Sequence, residues 1–270
     1  MLGPYHDRRA ALVIAHPGHE LRVYHWLSLA RPRVFILTDG SGHSSKSRLH
    51  RTTTILDSLG ARPGSIYGRL TDVEIYSAIL DREIDLFVSV ADELAGALVD
   101  HQIQYVVGDA IEGYNPAHDV CRLLINAAVE RVRQIGNSID NFDVLLAYKL
   151  GDYPLSTMSE AISIDANEQM QSRKLQAARD YSELEVDVNR ILDQEGIDAL
   201  ITEYLRPVNE GSYQFPSREP PYYEIYGEKQ VAAGRYQQVI RYRDHVLPIA
   251  KGLRRFAESK GLALVANSNY

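Results

Sequence analysis

Residues Ala11-Leu12-Val13-Ile14-Ala15-His16-Pro17-Gly18-His19-Glu20 decide how the rest of the chain is read. Five small or apolar residues follow one another without a polar break, the pattern of a strand buried on both faces in a sheet covered by helices. A Pro-Gly turn flanked by two histidines ends the run. In open α/β sheets the loops at the carboxyl ends of strands form the binding crevice, so position alone makes this loop a site candidate. His16 and His19 stand three apart, a spacing that lets two imidazoles converge on one cation if the loop curls at a helix start. Two solvated turn histidines are the alternative on spacing alone.

Outward from this stretch, short apolar runs alternate with longer amphipathic ones. Strands are predicted at residues 11–15, 34–38, 105–108, 144–148 and 199–202, and helices at 21–30, 47–59, 84–99, 116–133 and 168–195, where apolar residues recur every three to four positions. Pro116 suits a first helical turn. Strand-helix alternation implies a mostly parallel sheet between helical layers, a Rossmann-like three-layer α/β/α arrangement. The 270 residues are read as one domain, 1–270. Residues 206–226 break the rhythm: Pro207, Pro216, Pro220 and Pro221 are interspersed with Tyr213, Tyr222, Tyr223 and Tyr226, which predicts an ordered loop or lid. Tyrosines suit either closure over a substrate or contact with a second subunit of a homo-oligomer. A helical region is expected over 227–270, clearest from Lys229 to Ser259.

Composition narrows the function classes. A net charge of -7 argues against a grip on nucleic acid or an anionic membrane, which needs clustered Lys and Arg. The first apolar run is too short for a membrane span and lacks a signal peptide's cleavage pattern, so a cytoplasmic protein acting on a small molecule is expected. The single cysteine, Cys121, reads as a core residue and excludes an internal disulfide or a Cys-rich zinc knuckle. A metal would have to be held by His and carboxylates.

A third histidine completes such a set. His118 lies in Gly108-Asp109-Ala110-Ile111-Glu112-Gly113-Tyr114-Asn115-Pro116-Ala117-His118, a polar loop after an apolar strand and at a helix start. Three protein ligands with a fourth position open is the arrangement of a catalytic Zn²⁺ or another divalent metal. Asp109 and Glu112, on the same loop, are the candidate proton acceptors.

These residues, in this order, resemble the PIG-L/LmbE-like deacetylases, metal hydrolases that remove the acetyl group from N-acetylglucosamine conjugates. Ala15-His16-Pro17-Gly18-His19-Glu20 is similar to that family's opening Ala-His-Pro-Asp-Asp-Glu at four of six positions, Thr38-Asp39-Gly40 to its second-strand ending, and Asn115-Pro116-Ala117-His118 to its His-Pro-Asp-His. The likeness covers roughly the first 150 residues. It implies that His16, His19 and His118 are metal ligands, His19 standing in for an aspartate, and that Arg48 and Asp72 hold sugar hydroxyls. Asp39 is implied to orient the first loop or a ligand histidine from behind, with a plain Asp-Gly turn as the alternative.

Two positions depart from the pattern. Gly18 occupies the slot of the family's general base, and Asn115 that of a catalytic histidine; an amide can donate to an oxyanion or a substrate but cannot shuttle a proton. Glu112 is the favoured replacement base, followed by Asp109; Asp119 is a further candidate, and Glu20 is read as a structural acceptor. The expected function is removal of an acetyl group from an N-acetylated amino sugar or related small glycoconjugate. The alternative is a non-catalytic relative that binds metal or sugar. A nucleotide-binding transferase lacks the required glycine spacing after the first strand.

Overall fold

The structure is a computed structural model that describes residues 3–42, 46–146, 160–209 and 219–259. The first apolar run forms β1 (Ala10–Ile14), buried at every residue. Its alternate side chains enter opposite layers: Ala11 and Val13 meet one core, Leu12 and Ile14 the other. That two-sided burial is why the run shows no polar alternation.

β1 lies inside a seven-stranded sheet whose order is β3-β2-β1-β4-β5-β7-β6, with β2 (Arg33–Thr38), β3 (Arg62–Leu70), β4 (Tyr105–Asp109), β5 (Asp140–Val144), β6 (Ile162–Ile164) and β7 (Glu203–Pro207). β1 to β5 are parallel and β7 runs against its neighbours β5 and β6. The chain builds outward from β1 in one direction to β2 and β3, then returns to β1's other side with β4. The loops after β1 and β4 therefore flank the point where strand order reverses, the usual place of a crevice in such sheets.

Helices α1 (Tyr24–Ala30) and α2 (Leu49–Leu59) pack on one face through Trp26, Leu27 and Leu56. α3 (Asp72–Asp81), α4 (Ile84–Asp100) and α5 (Pro116–Gln134) cover the other. Each large apolar side chain taken out of water contributes roughly 1.5–3 kcal/mol, so the two layers hold the sheet from both sides. α6 (Glu168–Asp180), α7 (Glu185–Glu195) and α8 (Ile197–Ile201) form a third cluster against Leu21 and Tyr24. α9 (Tyr222–Ala232) and α10 (Leu247–Glu258), joined through a π-helical turn at Tyr242–Val246, complete the described chain. None of the described helices is long and apolar enough to cross a membrane.

Several expected elements move. The strand predicted at 144–148 lies earlier, at Asp140–Val144, and residues 147–148 are outside the described residues. The run predicted as a strand at 199–202 belongs to α8, with β7 following it. The helix predicted over 168–195 breaks at Tyr181, and that over 21–30 begins as a 3-10 turn at His19–Val23. The loop predicted over 206–226 gives way to α9 at Tyr222; its residues 210–218, with Tyr213 and Pro216, are outside the described residues. β3, β6 and α3 were not predicted.

Glu203 ties the third helical cluster to the sheet. Its carboxylate accepts the N–H groups of His25 and Trp26 at the start of α1 (2.8 and 2.9 Å) and pairs with Lys174 Nζ at 2.7 Å, both side chains fully buried. Removing one partner of a buried pair strands the other charge. Glu203→Ala is expected to cost about 3–5 kcal/mol in urea unfolding; a loss under about 1 kcal/mol, the scale of an exposed pair, would contradict this assignment.

Candidate metal centre

The loop after β1 turns at Gly18, whose φ of 109° is open to glycine alone. Glu20 fixes the turn: one carboxylate oxygen accepts the Gly18 N–H at 2.6 Å and the other the Thr52 hydroxyl at 2.7 Å. This is the structural role expected of Glu20. The turn brings His16 and His19 to the same side, and His118, in the first turn of α5, arrives from the loop after β4. Ring centroids are 5.4 Å apart for His16 and His19, 5.2 Å for His16 and His118, and 4.4 Å for His19 and His118, all edge to face.

Carboxylates hold two of the rings from behind. His16 Nδ1 lies 3.0 Å from Asp72 Oδ1 and 2.8 Å from the Thr38 hydroxyl, leaving Nε2 buried without a hydrogen-bond partner. His19 Nδ1 lies 3.0 Å from both oxygens of Asp109, which also accepts the Ala15 N–H at 2.8 Å. His118 Nδ1 is likewise buried and unpartnered. Orphaned buried polar atoms are costly and rare, so two in one cluster of imidazoles need an explanation. Burial depresses the pKa of His16, against the pull of Asp72, and that of His118 well below its usual value, where the neighbouring His19 and His16 add to the effect. Both rings are therefore neutral at pH 7, with lone pairs to give. For Asp72, burial alone would raise the pKa, but hydrogen bonds from His16, the Thr38 hydroxyl and the Gly42 N–H hold it far below the carboxylate range.

The remaining expected residues occupy varied positions. Asp72, expected to grip a sugar, has both oxygens engaged, Oδ1 with His16 and Oδ2 with the Gly42 N–H at 2.7 Å. Asp39 Oδ1 accepts the Ser41 N–H at 2.9 Å. Arg48 Nε donates to the Gly40 carbonyl at 2.6 Å, and Gly40 is forced by the crowding of Arg48 and Pro17, whose Cδ would lie 2.9 Å from an added Cβ. Asn115 caps α5 through the Ala117 N–H at 2.8 Å and donates from Nδ2 to the Tyr76 hydroxyl at 2.9 Å. Glu112 is buried and its Oε2 accepts the Leu146 N–H at 3.0 Å. Asp119 accepts the N–H groups of Glu112 and Gly113 (3.0 and 3.1 Å), and burial pushes its pKa up to about 7.

Two features escaped the sequence. A Cβ added at Gly18 would meet Leu184 Cδ1 at 2.5 Å, so an apolar side chain fills the slot where the resembled family carries its base. Tyr76, on α3 one turn after Asp72, reaches Asn115; the capping box Thr71-Asp72-Val73-Glu74, formed as its spacing prescribes, was the signal that could have placed both on one helix face. Among the described residues no group of three or more His, Cys, Asp or Glu has the arrangement of a formed metal site. The ring centroids lie 4.4 to 5.4 Å apart, against roughly 5 Å for imidazoles bound through nitrogen at about 2.0–2.1 Å to a tetrahedral ion. A concavity of about 540 Å³ lies at the opposite end of the strands, lined by residues such as Arg9, Gln102 and Ser138, and holds no comparable chemistry.

No family model and no curated protein matches the sequence. Among solved structures, the fold is similar to that of the A40926 pseudoaglycone deacetylase Dbv21, with a TM-score of 0.53 at 18% identity over 77% of this chain and 100% of that one. It is similar also to the zinc-inhibited form of the teicoplanin deacetylase Orf2, with a TM-score of 0.51 at 17% identity over 76% of this chain and 100% of that one. At these identities the likeness is one of fold: the mostly parallel sheet between helices.

The depressed histidines make a prediction for the metal-free protein. Below the unfolded value of 6.5, the unfolded chain binds protons that folded His16 and His118 refuse, so stability falls as pH drops. Asp119 acts in the opposite sense, since between about 7 and 3.8 the folded form keeps a proton the unfolded carboxyl has lost. In an Asp119→Asn background, thermal unfolding should therefore show a lower Tm at pH 5.5 than at 7.5, and adding His118→Gln should shrink that difference. An unchanged difference would mean that His118 is not held neutral by the fold.

Proposed function

We propose that this chain is a metal-dependent amide hydrolase of the PIG-L/LmbE-like kind, removing an acetyl group from an N-acetylated amino sugar or related small glycoconjugate. The observation that carries the reading is the convergence of three imidazoles, two with nitrogens that have no partner and two backed by carboxylates. Support comes also from the fold neighbours, described as deacetylases of teicoplanin and of the A40926 pseudoaglycone, one of them in a zinc-inhibited form.

His16, His19 and His118 would hold the ion. When bound, zinc polarises an acyl oxygen and lowers the pKa of a water toward about 7. Asp72 and Asp109 set the tautomer and orientation of His16 and His19, the usual office of carboxylates behind ligand histidines. Asp109 is thereby a positioning residue in this scheme. Glu112 takes the proton of the attacking water and returns it to the departing amine as the C–N bond breaks and acetate leaves. Asn115 commits one amide N–H to Tyr76 and has a second for the developing oxyanion; Tyr76, pushed up to about 12 by burial, keeps its own proton to donate. Arg48 presents its terminal nitrogens to substrate hydroxyls.

Leu184 in the slot at Gly18 favours the alternative of a binding protein without turnover, and one experiment separates the two. Purified protein loaded with Zn²⁺ is assayed for metal content and for acetate release from N-acetylglucosamine and its glycosides. The proposal predicts one equivalent of metal and turnover that falls by about 10²–10⁴ in Glu112→Gln with metal retained. Metal at one equivalent with no acetate from any substrate would support the binding protein, and normal turnover in Glu112→Gln would remove Glu112 from the mechanism.

A further inference from the structure

Beside the histidine cradle the molecule exposes an arc of tyrosines that none of the chemistry above uses. Tyr114 and Tyr222 stack face to face, with centroids 5.1 Å apart and planes 2° from parallel. Tyr222 stacks on Tyr226 at 6.1 Å, and Tyr226 meets Tyr236 at 6.4 Å edge to face. All four are large residues left open on the surface, at 41%, 42%, 42% and 38% exposure. Scattered exposed aromatics need no explanation, but four in continuous ring contact form a patch, and such patches mark binding surfaces.

The arc is joined to the candidate site through the loop after β4. Tyr114 directly precedes Asn115, and the Tyr223 N–H at the start of α9 donates to the Gly113 carbonyl at 3.2 Å, fastening the helix that carries Tyr222 and Tyr226 to the loop that leads into α5 and His118. Tyr222 and Tyr226 are one turn apart and share a helix face. The patch is thus a fixed extension of the site rather than a separate region.

We propose that this tyrosine arc is a platform for sugar rings, binding saccharide units of a substrate that extend beyond the unit carrying the acetamido group. An apolar chain would be better served by an enclosed groove of aliphatic side chains. Phenols standing half in water offer a flat face to the C–H side of a pyranose and a hydroxyl at the rim for its polar edge. The proposal rests on the deacetylase reading only for what happens at the amide bond; binding by the platform is independent of it.

The test uses calorimetric titration of the full-length protein with triacetylchitotriose, N-acetylglucosamine and p-nitrophenyl N-acetylglucosaminide, in the wild type, Tyr222→Ala/Tyr226→Ala and Tyr222→Phe/Tyr226→Phe, with thermal unfolding to check that each variant is folded. Triacetylchitotriose is expected to bind the wild type more tightly than the monosaccharide. The alanine pair should weaken the trisaccharide by about tenfold or more, leave the monosaccharide unchanged, and be largely rescued by the phenylalanine pair. Equal affinity for trisaccharide and monosaccharide, or no effect of the alanine pair, would overturn the platform; a gain for the aryl glycoside alone would replace the sugar by an aromatic aglycone. If these binding differences hold while no acetate is released from any of the three, the platform stands and the deacetylase reading fails.

Discussion

Asp109 closes the structure at the point where its two halves meet. It ends β4, yet its carboxylate reaches across to the Ala15 N–H at the end of β1 and lies against Nδ1 of His19. The backbone behind it is held by the buried guanidinium of Arg122, which donates to the Asp109 carbonyl, to Asn141 Oδ1 and to the Phe142 carbonyl. Asp109 and Arg122 together tie β1, β4 and β5, and Asp109 sets the angle of one imidazole. In a sheet whose strand order reverses between β1 and β4, a bond across that junction decides whether the loops beyond it face each other at all.

From this junction the electrostatics of the site follow. His16 and His118 are driven neutral by burial, and Asp72 stays ionised in close contact with His16. The neutral ring of His16 has the ionised carboxylate of Asp72 behind it, and the cost of leaving Nε2 of His16 and Nδ1 of His118 unpaired is a cost that a ligand would remove. Each carboxylate that the sequence offers as a base has a partner: Asp109 lies against His19, Asp119 accepts two backbone N–H groups, and Glu112 accepts the Leu146 N–H.

Much of this was legible in the residues, for reasons that also explain what was not. β1, β2 and β4 are buried on both faces, so their apolar runs are unbroken, and α5 is long enough for its three-to-four spacing to be unmistakable. β3 sits on the sheet edge, with Pro63, Gly64 and Gly68 inside it and register shifts against β2, so neither period nor composition marks it as a strand. The run Ile197-Asp198-Ala199-Leu200-Ile201 is five residues long, too short for periodicity to separate helix from strand, and tertiary packing made it a helix. The three histidines were legible because each follows or opens an element at the crevice end of the sheet. Asp72 as a support for His16, Leu184 over Gly18 and the reach of Tyr76 to Asn115 depend on contacts between segments far apart in sequence, which no local pattern encodes.

The proposed function turns on the rings of His16, His19 and His118 sharing one ion. X-ray absorption at the zinc edge on protein loaded with one equivalent of Zn²⁺ tests it most directly. Three imidazole nitrogens and one oxygen at about 2.0–2.1 Å are the predicted shell. A shell with one imidazole or none, or one unchanged when His19 and His118 are replaced together by alanine, would contradict it.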